Sequence, residues 1–127
     1  MTKRAEIIAA ATKYLESIVS HDPSEVPFAA HAWRREQGHP HGDTPDAIRA
    51  GLRASEMDVV TGMGPMRWIV EEASDQAVAF FEVSLVHGGT CRLAERFRVR
   101  GGLIEEIEAI FVIDDLPMRD RVETTES

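Results

Sequence analysis

The chain is poor in the residues that build disulfide-bonded, zinc-binding and membrane-spanning proteins. Cys91 is its one cysteine among 127 residues, which excludes an internal disulfide and a zinc site made of several cysteines. No apolar run approaches the roughly 20 residues that a membrane helix needs. The first residues mix apolar with charged side chains and do not form a signal peptide. We therefore expect a cytoplasmic protein without a membrane partner.

Basic residues are also scarce. The chain has 14 lysines and arginines against 22 aspartates and glutamates, a formal net charge of −8, and no basic tract interleaved with aromatics. A nucleic-acid partner is therefore not expected. The hydrophobic fraction of 43% and charged fraction of 28% are those of a globular protein. The length predicts one domain over residues 1–120, followed by a disordered tail over residues 121–127.

Three helices are predicted in the N-terminal half. Apolar residues at three- and four-residue spacing indicate an amphipathic helix over residues 3–20, with Tyr14 in its apolar stripe. Asp22 and Pro23 are typical of a helix start, which predicts a short second helix. Thr44 and Pro45 give the same signal for a third.

The period of the pattern changes to two in the second half, which predicts strands. The predicted strands, with a short one before the third helix, are Ala32–Glu36, Met57–Val60, Met66–Val70, Val78–Val86, Cys91–Val99 and Leu103–Ile113. Gly88-Gly89 and Gly101-Gly102 are predicted turns between the last three. The fold class is therefore α+β, with three helices packed over the concave face of a curved antiparallel sheet that forms a cone.

A glutamate lies on the buried face of the strand Cys91–Val99. One face carries Cys91, Leu93, Glu95, Phe97 and Val99, whereas the other carries four arginines and an alanine. A buried carboxylate either finds a partner or keeps its proton. Two interpretations of Glu95 therefore stay open: an ion pair inside the core, or a site carboxylate that faces a cavity. The outward arginines are predicted to pair with glutamates of the neighbouring strands.

The sequence resembles the nuclear transport factor 2-like (NTF2-like, or SnoaL-like) superfamily, and within it the bacterial ketosteroid isomerases. The stretches that carry the resemblance run in order along most of the chain: Tyr14–Asp22, Phe28–Glu36, Asp46–Arg49, Ala79–Ser84, Glu95–Arg98 and Ala109–Phe111.

The resemblance implies a site of three residues. A helix tyrosine, a base after the first strand and a protonated acid on a later strand fall on Tyr14, Glu36 and Glu95, with glutamate in place of both family aspartates. It implies that Glu36 moves a proton next to a carbonyl while Tyr14 and Glu95 donate to the oxygen, without a cofactor. The predicted ligand-binding residues are Phe28, Trp33, Met57, Met66, Trp68, Phe81, Val83, Leu85, Phe97, Ile107, Ala109 and Phe111.

Other functions of the same fold remain open. The expected substrate is a small hydrophobic polycyclic or polyketide-like carbonyl compound, and the alternatives are a polyketide cyclase or dehydratase and a non-catalytic module that binds a small molecule or a protein. Ion pairing of Glu36 or Glu95 with arginine would favour the module. A homodimer through the outer sheet face is expected.

Overall fold

The computed structural model describes residues 1–114, to which every structural statement below refers. Within them the chain forms two α-helices, seven strands and two short 3₁₀ segments. The helices are α1 (Lys3–Ser20) and α2 (Pro45–Arg53). The strands are β1 (Phe28–Glu36), β2 (His39–Pro40), β3 (Val60–Met63), β4 (Arg67–Glu71), β5 (Gln76–Leu85), β6 (Thr90–Arg100) and β7 (Leu103–Asp114). The predicted tail and the end of the predicted domain lie outside the described residues.

Helix α1 confirms the first predicted helix to the residue. Thr2 caps its start, because the Thr2 hydroxyl accepts a hydrogen bond from the amide of Ala5 at 3.1 Å. The helix ends at His21, which has the left-handed φ of 61°. The third predicted helix is likewise confirmed as α2, whose cap Thr44 accepts from the amide of Ala47 at 3.1 Å.

The predicted second helix is wrong, because the segment after α1 is a turn. Asp22 accepts a hydrogen bond from the amide of Ser24, an Asx turn that competes with helix formation. Pro27 then disfavours the helical conformation at Val26, and β1 begins at Phe28. Val26 is buried, and its carbonyl accepts a hydrogen bond from Arg49 at 3.1 Å.

The sheet has the strand order β2-β1-β7-β6-β5-β3, with β4 also paired to β5. Its pairs are antiparallel except for β1 and β7, which run parallel. The prediction of a purely antiparallel sheet is therefore corrected to a mixed one. Hydrophobic alternation identifies the meander from β5 to β7, but it carries no signal for the direction in which β1 meets β7.

The strand bounds differ from the predicted ones mainly at one place. Residues Ser55–Val59 form a 3₁₀ helix, so the predicted strand Met57–Val60 is wrong and β3 begins where it was expected to end. Strand β1 starts four residues earlier than predicted, and β4 to β7 lie within two residues of their predicted bounds. Gly88 and the pair Gly101-Gly102 have positive φ, as the turns that join the last three strands require.

The core lies between α1 and the inner face of the sheet. Tyr14 of α1 packs edge-on against Phe97 of β6, with ring centroids 5.7 Å apart, and against Phe28 of β1 at 6.4 Å. On the outer face Arg96 pairs with Glu106 and Glu108 at 3.0 and 3.1 Å, which confirms the predicted charge pairing across the strands. No helix within residues 1–114 is long and apolar enough to cross a membrane.

Candidate active site

Glu95 is buried on the inner face of β6, as its place in the alternating pattern predicted. Its exposed fraction is 0%, and its neighbours across the sheet are Ala79 and Ala109. Both neighbours are alanines, so neither offers the carboxyl group of Glu95 a polar partner. Within the described residues, neither carboxyl oxygen of Glu95 has a hydrogen-bond partner at standard geometry. Burial therefore dominates, and it raises the pKa of Glu95 to about 7, against the lowering effects of Arg34 and of the Tyr14 hydroxyl as a donor.

The sheet register also fixes the position of Glu36 relative to Glu95. Ala109 of β7 lies beside Glu36 of β1 on one side and beside Glu95 of β6 on the other. The two glutamates are therefore two strands apart, which corresponds to roughly 10 Å between their backbones. The two predicted site carboxylates thus share one wall of the molecule.

Arg34 links Tyr14 to Glu36. Its Nε donates a hydrogen bond to the Tyr14 hydroxyl at 2.8 Å, and its Nη1 lies 2.9 Å from Oε1 of Glu36. The side chain of Arg34 is 13% exposed and that of Glu36 is 27% exposed. Tyr14, Glu36 and Glu95 all raise the pKa of Arg34 against the opposing effect of burial. The guanidinium therefore keeps its charge within the site.

The Tyr14 hydroxyl is a neutral donor. Burial, followed by the charge of Glu95, raises its pKa well above the ordinary value. Because the hydroxyl oxygen accepts from Arg34, its own proton is left for Glu95 or for a ligand.

His41 lies at the open end of this group. The β1–β2 hairpin brings it next to Arg34, because the amide of His41 donates to the carbonyl of Arg34 at 2.8 Å. Its Nε2 is 3.7 Å from Oε2 of Glu36, and its side chain is 57% exposed.

These side chains surround a cavity of about 160 Å³ between α1, α2 and the sheet. Tyr14, Arg34, Glu36, His41 and Glu95 form its polar part. The rest of the lining is almost entirely apolar and consists of Ile18, Ile48, Gly51, Leu52, Met57, Val59, Val60, Val83, Leu85, Cys91, Leu93, Phe111 and Ile113. The site therefore combines charged groups with a largely apolar wall, the usual character of a small-molecule site.

Four of the predicted ligand-binding residues line this cavity: Met57, Val83, Leu85 and Phe111. The others lie outside its lining. Phe81, Phe97, Ile107 and Ala109 are buried in the core, Met66 packs against that core, and Phe28 packs against Tyr14. Trp68 contacts Phe97 and Trp33 lies beneath the guanidinium of Arg35. Alternation identifies the inner face of a strand but not the level along it at which the cavity opens.

Arg34 is the site residue that the sequence analysis missed. Ala32, Arg34 and Glu36 share one face of β1, so an inward Glu36 requires an inward Arg34 as well. The two-residue spacing of Arg34 and Glu36 is therefore the sequence feature that indicates an inward Arg34. Cys91 also lines the cavity, where burial and the charge of Glu95 raise the pKa of its thiol to about 11, so it is a packing residue there.

Comparison with known proteins places the chain in a family and a fold. The family described as "Domain of unknown function (DUF8021)" matches residues 1–111. No curated protein matches the chain significantly. An NTF-2 like protein from Burkholderia xenovorans is 13% identical and superposes with a TM-score of 0.65, covering 99% of this chain and 95% of its own. The predicted NTF2-like fold is thereby confirmed.

Two further solved structures of this fold carry functional names. A protein from Bacillus subtilis, provisionally named an isomerase, is 12% identical with a TM-score of 0.72, covering 88% of this chain and 90% of its own. A protein from Sinorhizobium meliloti, provisionally named a polyketide cyclase, is 21% identical with a TM-score of 0.65, covering 80% and 93%. At these identities the similarity establishes the fold alone.

Proposed function

The chain belongs to the DUF8021 family and has the NTF2-like fold, and on that premise we propose that it is a cofactor-independent enzyme. It moves a proton or a double bond next to the carbonyl group of a small hydrophobic compound, as ketosteroid isomerases do. The observation that carries the proposal is Glu95, a fully buried carboxyl group on the wall of an apolar cavity, close to the hydroxyl group of Tyr14. Glu36 and Tyr14 lie on the same cavity.

The roles follow from the protonation states. Glu36, which is ion-paired with Arg34, removes the proton next to the carbonyl and returns it at another carbon. Tyr14 and protonated Glu95 donate hydrogen bonds to the oxygen as it becomes an enolate. A carboxylic acid that an apolar site keeps neutral is an established oxyanion donor in ketosteroid isomerase. The raised pKa of Glu95 fits that role.

The ion pair between Arg34 and Glu36 changes during such a reaction. Before proton transfer the guanidinium stabilises the carboxylate, which fixes its position but also opposes its protonation. After the transfer Glu36 is neutral, and the charge of Arg34 is free to stabilise the enolate. The guanidinium of Arg34 thus stabilises first the carboxylate of Glu36 and then the enolate, without a change in its own position.

An ultraviolet assay tests the proposal. The substrates are 3-cyclohexen-1-one and a β,γ-unsaturated ketosteroid, whose conversion to the conjugated ketones is followed by absorbance. We expect the wild type to convert 3-cyclohexen-1-one, and we expect a loss of about 10²- to 10⁴-fold in kcat for Glu36→Gln, the usual contribution of a general base. Glu16→Gln, on the exposed side of α1, is the matched control and should keep full activity.

Two outcomes would contradict the proposal. One is a folded wild type that converts neither ketone. The other is equal turnover by the wild type and Glu36→Gln.

One observation favours a non-catalytic binding module as the second candidate. Glu36 is ion-paired with Arg34, whose Nη1 lies 2.9 Å from Oε1, so one oxygen of the supposed base is already occupied. The module would bind an apolar molecule in the same cavity, with the charged residues acting only as hydrogen-bond partners. Ligand binding without turnover in the assay above would establish it. The polyketide cyclase or dehydratase alternative needs the same acid and base groups and is separated from the isomerase by its substrates.

We also propose that the protein is a homodimer through the outer face of the sheet. Ile69, Ile110 and Val112 are 58–63% exposed although all three are large and apolar. Ile110 and Val112 lie beside Ala94 and Arg92 of β6, so the apolar residues are set among outward arginine and glutamate pairs. An apolar centre with a charged surround is the composition of a protein interface.

Ile110→Glu tests the dimer. A charge at the centre of the contact would be buried without a partner, so we expect the variant to be a monomer at concentrations at which the wild type is a dimer. Light scattering coupled to size-exclusion chromatography measures the mass of both. A monomeric wild type, or a dimeric Ile110→Glu with an unchanged dissociation constant, would refute the interface. Leu103→Glu, 46% exposed at the far end of β7, is the matched control.

A further inference from the structure

Arg34 lies on the cavity wall and has N–H groups that bind neither Tyr14 nor Glu36. A guanidinium carries five N–H groups, and those of Arg34 bind Tyr14 through Nε and Glu36 through Nη1. Within residues 1–114 the side chain forms no other hydrogen bond or ion pair, although it is 13% exposed. No nitrogen of Arg34 is both buried and without a partner within the described residues, so its remaining N–H groups can be reached from the cavity, where a ligand can accept from them.

The charges of the cavity favour a neutral ligand over an anion. Arg34 and Glu36 cancel each other at 2.9 Å, which leaves Glu95 to set the charge of the enclosed part of the site. That charge is zero when Glu95 is protonated and −1 when it is ionised, and it is positive in neither case. His41 stands at the rim with 57% of its side chain exposed, where solvent and salt screen its charge. An anionic ligand would have to displace Glu36 from Arg34 or face Glu95 directly.

The volume of the cavity limits the ligand to about one ring. At about 160 Å³ it is close to the roughly 150 Å³ of an engineered apolar cavity that binds benzene. It lies well below the roughly 300–1,000 Å³ of pockets that enclose drug-sized molecules. Ile18, Leu52 and Phe111 are among the apolar side chains that line this space.

We propose that the ligand of this cavity is an uncharged carbonyl compound of about one ring, and that Arg34 binds its oxygen. This inference rests on the proposed function and narrows its substrate class, which was expected to be a polycyclic or polyketide-like carbonyl compound. In the reaction described above, Arg34 is then a third donor to the enolate oxygen, alongside Tyr14 and Glu95. Its hydrogen bonds to Tyr14 and Glu36 hold the guanidinium plane in place before the ligand arrives.

Two pairs of probes test charge and size by isothermal titration calorimetry at pH 8. Benzamide and benzoate have nearly the same shape but differ in charge, and we expect benzamide to bind at least about tenfold more tightly. Acetophenone and 2-acetonaphthone differ by one fused ring, and we expect the larger ketone to gain nothing in affinity. If the second ring entered the cavity, its buried carbons would raise the affinity more than about tenfold.

A variant tests the contact with Arg34. Arg34→Lys keeps the charge beside Glu36 but loses the planar fork, so we expect benzamide affinity to fall about tenfold while circular dichroism stays unchanged. Arg35→Lys, on the opposite side of β1 against Trp33, is the matched control and should bind as the wild type does. Because the probe pairs use the wild type, a poorly folded Arg34→Lys would still leave the charge and size tests in force.

Three results would overturn the inference: benzoate binding as tightly as benzamide, 2-acetonaphthone binding more than tenfold more tightly than acetophenone, or unchanged benzamide affinity in a folded Arg34→Lys. These measurements need no turnover, so their failure is separate from that of the proposed reaction. Isomerisation of 3-cyclohexen-1-one together with equal binding of benzoate would refute the ligand class and keep the enzyme. Selective benzamide binding without turnover would do the reverse.

Discussion

Glu95→Gln should lose less stability than the wild type as the pH rises from 5 to 8. The folded state of the wild type holds a proton on Glu95 more tightly than the unfolded chain does, because burial raises the pKa from 4.5 to about 7. The wild type therefore keeps its full stability below pH 4.5, loses part of it as the pH rises towards 7, and has lost all of this contribution above pH 7. The raised pKa corresponds to about 3 kcal/mol. Glutamine does not titrate, so its curve lacks this slope.

Urea unfolding at pH 5 and pH 8 measures the effect. The free energy of unfolding of Glu95→Gln, relative to that of the wild type, should rise by about 3 kcal/mol between the two conditions. Asp22 and Asp75 have lowered pKa values and therefore affect stability at lower pH. Their contributions cancel in the comparison, because both proteins contain them. Glu16→Gln serves again as the control and should follow the wild type. Parallel curves for Glu95→Gln and the wild type would show that Glu95 is ionised in the fold at neutral pH.

Arg34→Met should destabilise the protein and raise the pKa of Glu95 further. The substitution leaves Glu36 without its ion pair and the Tyr14 hydroxyl without its donor. Removal of one partner of a fully buried pair costs about 3–5 kcal/mol, and we expect about 2–3 kcal/mol here because Glu36 is 27% exposed. Arg34 is also the largest influence that lowers the pKa of Glu95, so its loss moves that pKa above 7.

Carbon-13 NMR of the glutamate carboxyl groups reports the titration of Glu95 directly, and urea unfolding reports the stability. Arg35→Met is the matched control, because Arg35 is the next residue of β1 and lies outside the cavity against Trp33. An unchanged titration of Glu95 in Arg34→Met would mean that the two groups do not interact through the cavity. A stability loss of the same size in Arg35→Met would mean that the cost comes from strand packing.

The sequence contained most of the fold because its strongest patterns are local. Helix α1 follows from apolar spacing and the Thr2 cap, and the meander from β5 to β7 follows from strict alternation. The turn after α1 was mistaken for a helix because Asp22 and Pro23 suit both, and the decisive residue, Pro27, acts on the residue before it. The parallel pairing of β1 with β7 joins residues more than 70 positions apart, and no local pattern encodes it.

The candidate site was accessible from the sequence to a smaller degree. Glu95 could be found because a carboxylate interrupts an apolar face, and the structure places Tyr14, Glu36 and Glu95 on one cavity. The inward position of Arg34 follows only from that of Glu36, because the two residues share one face of β1. The size of the cavity could not be predicted, since it depends on how far α2 and the 3₁₀ segment approach the sheet.

Ala109 lies between Glu36 and Glu95 in the sheet and therefore determines the distance between their backbones. It is the one residue between Glu36 and Glu95 in the row that crosses β1, β7 and β6, so the separation of their backbones equals two strand spacings. Backbone hydrogen bonds fix that distance more firmly than any side-chain contact could. Evolution can therefore adjust the reach of the carboxyl groups only in steps of a methylene, by exchanging aspartate for glutamate. With two glutamates, this chain has the longer of the two possible carboxylate side chains at both positions, on a backbone spacing that the sheet defines.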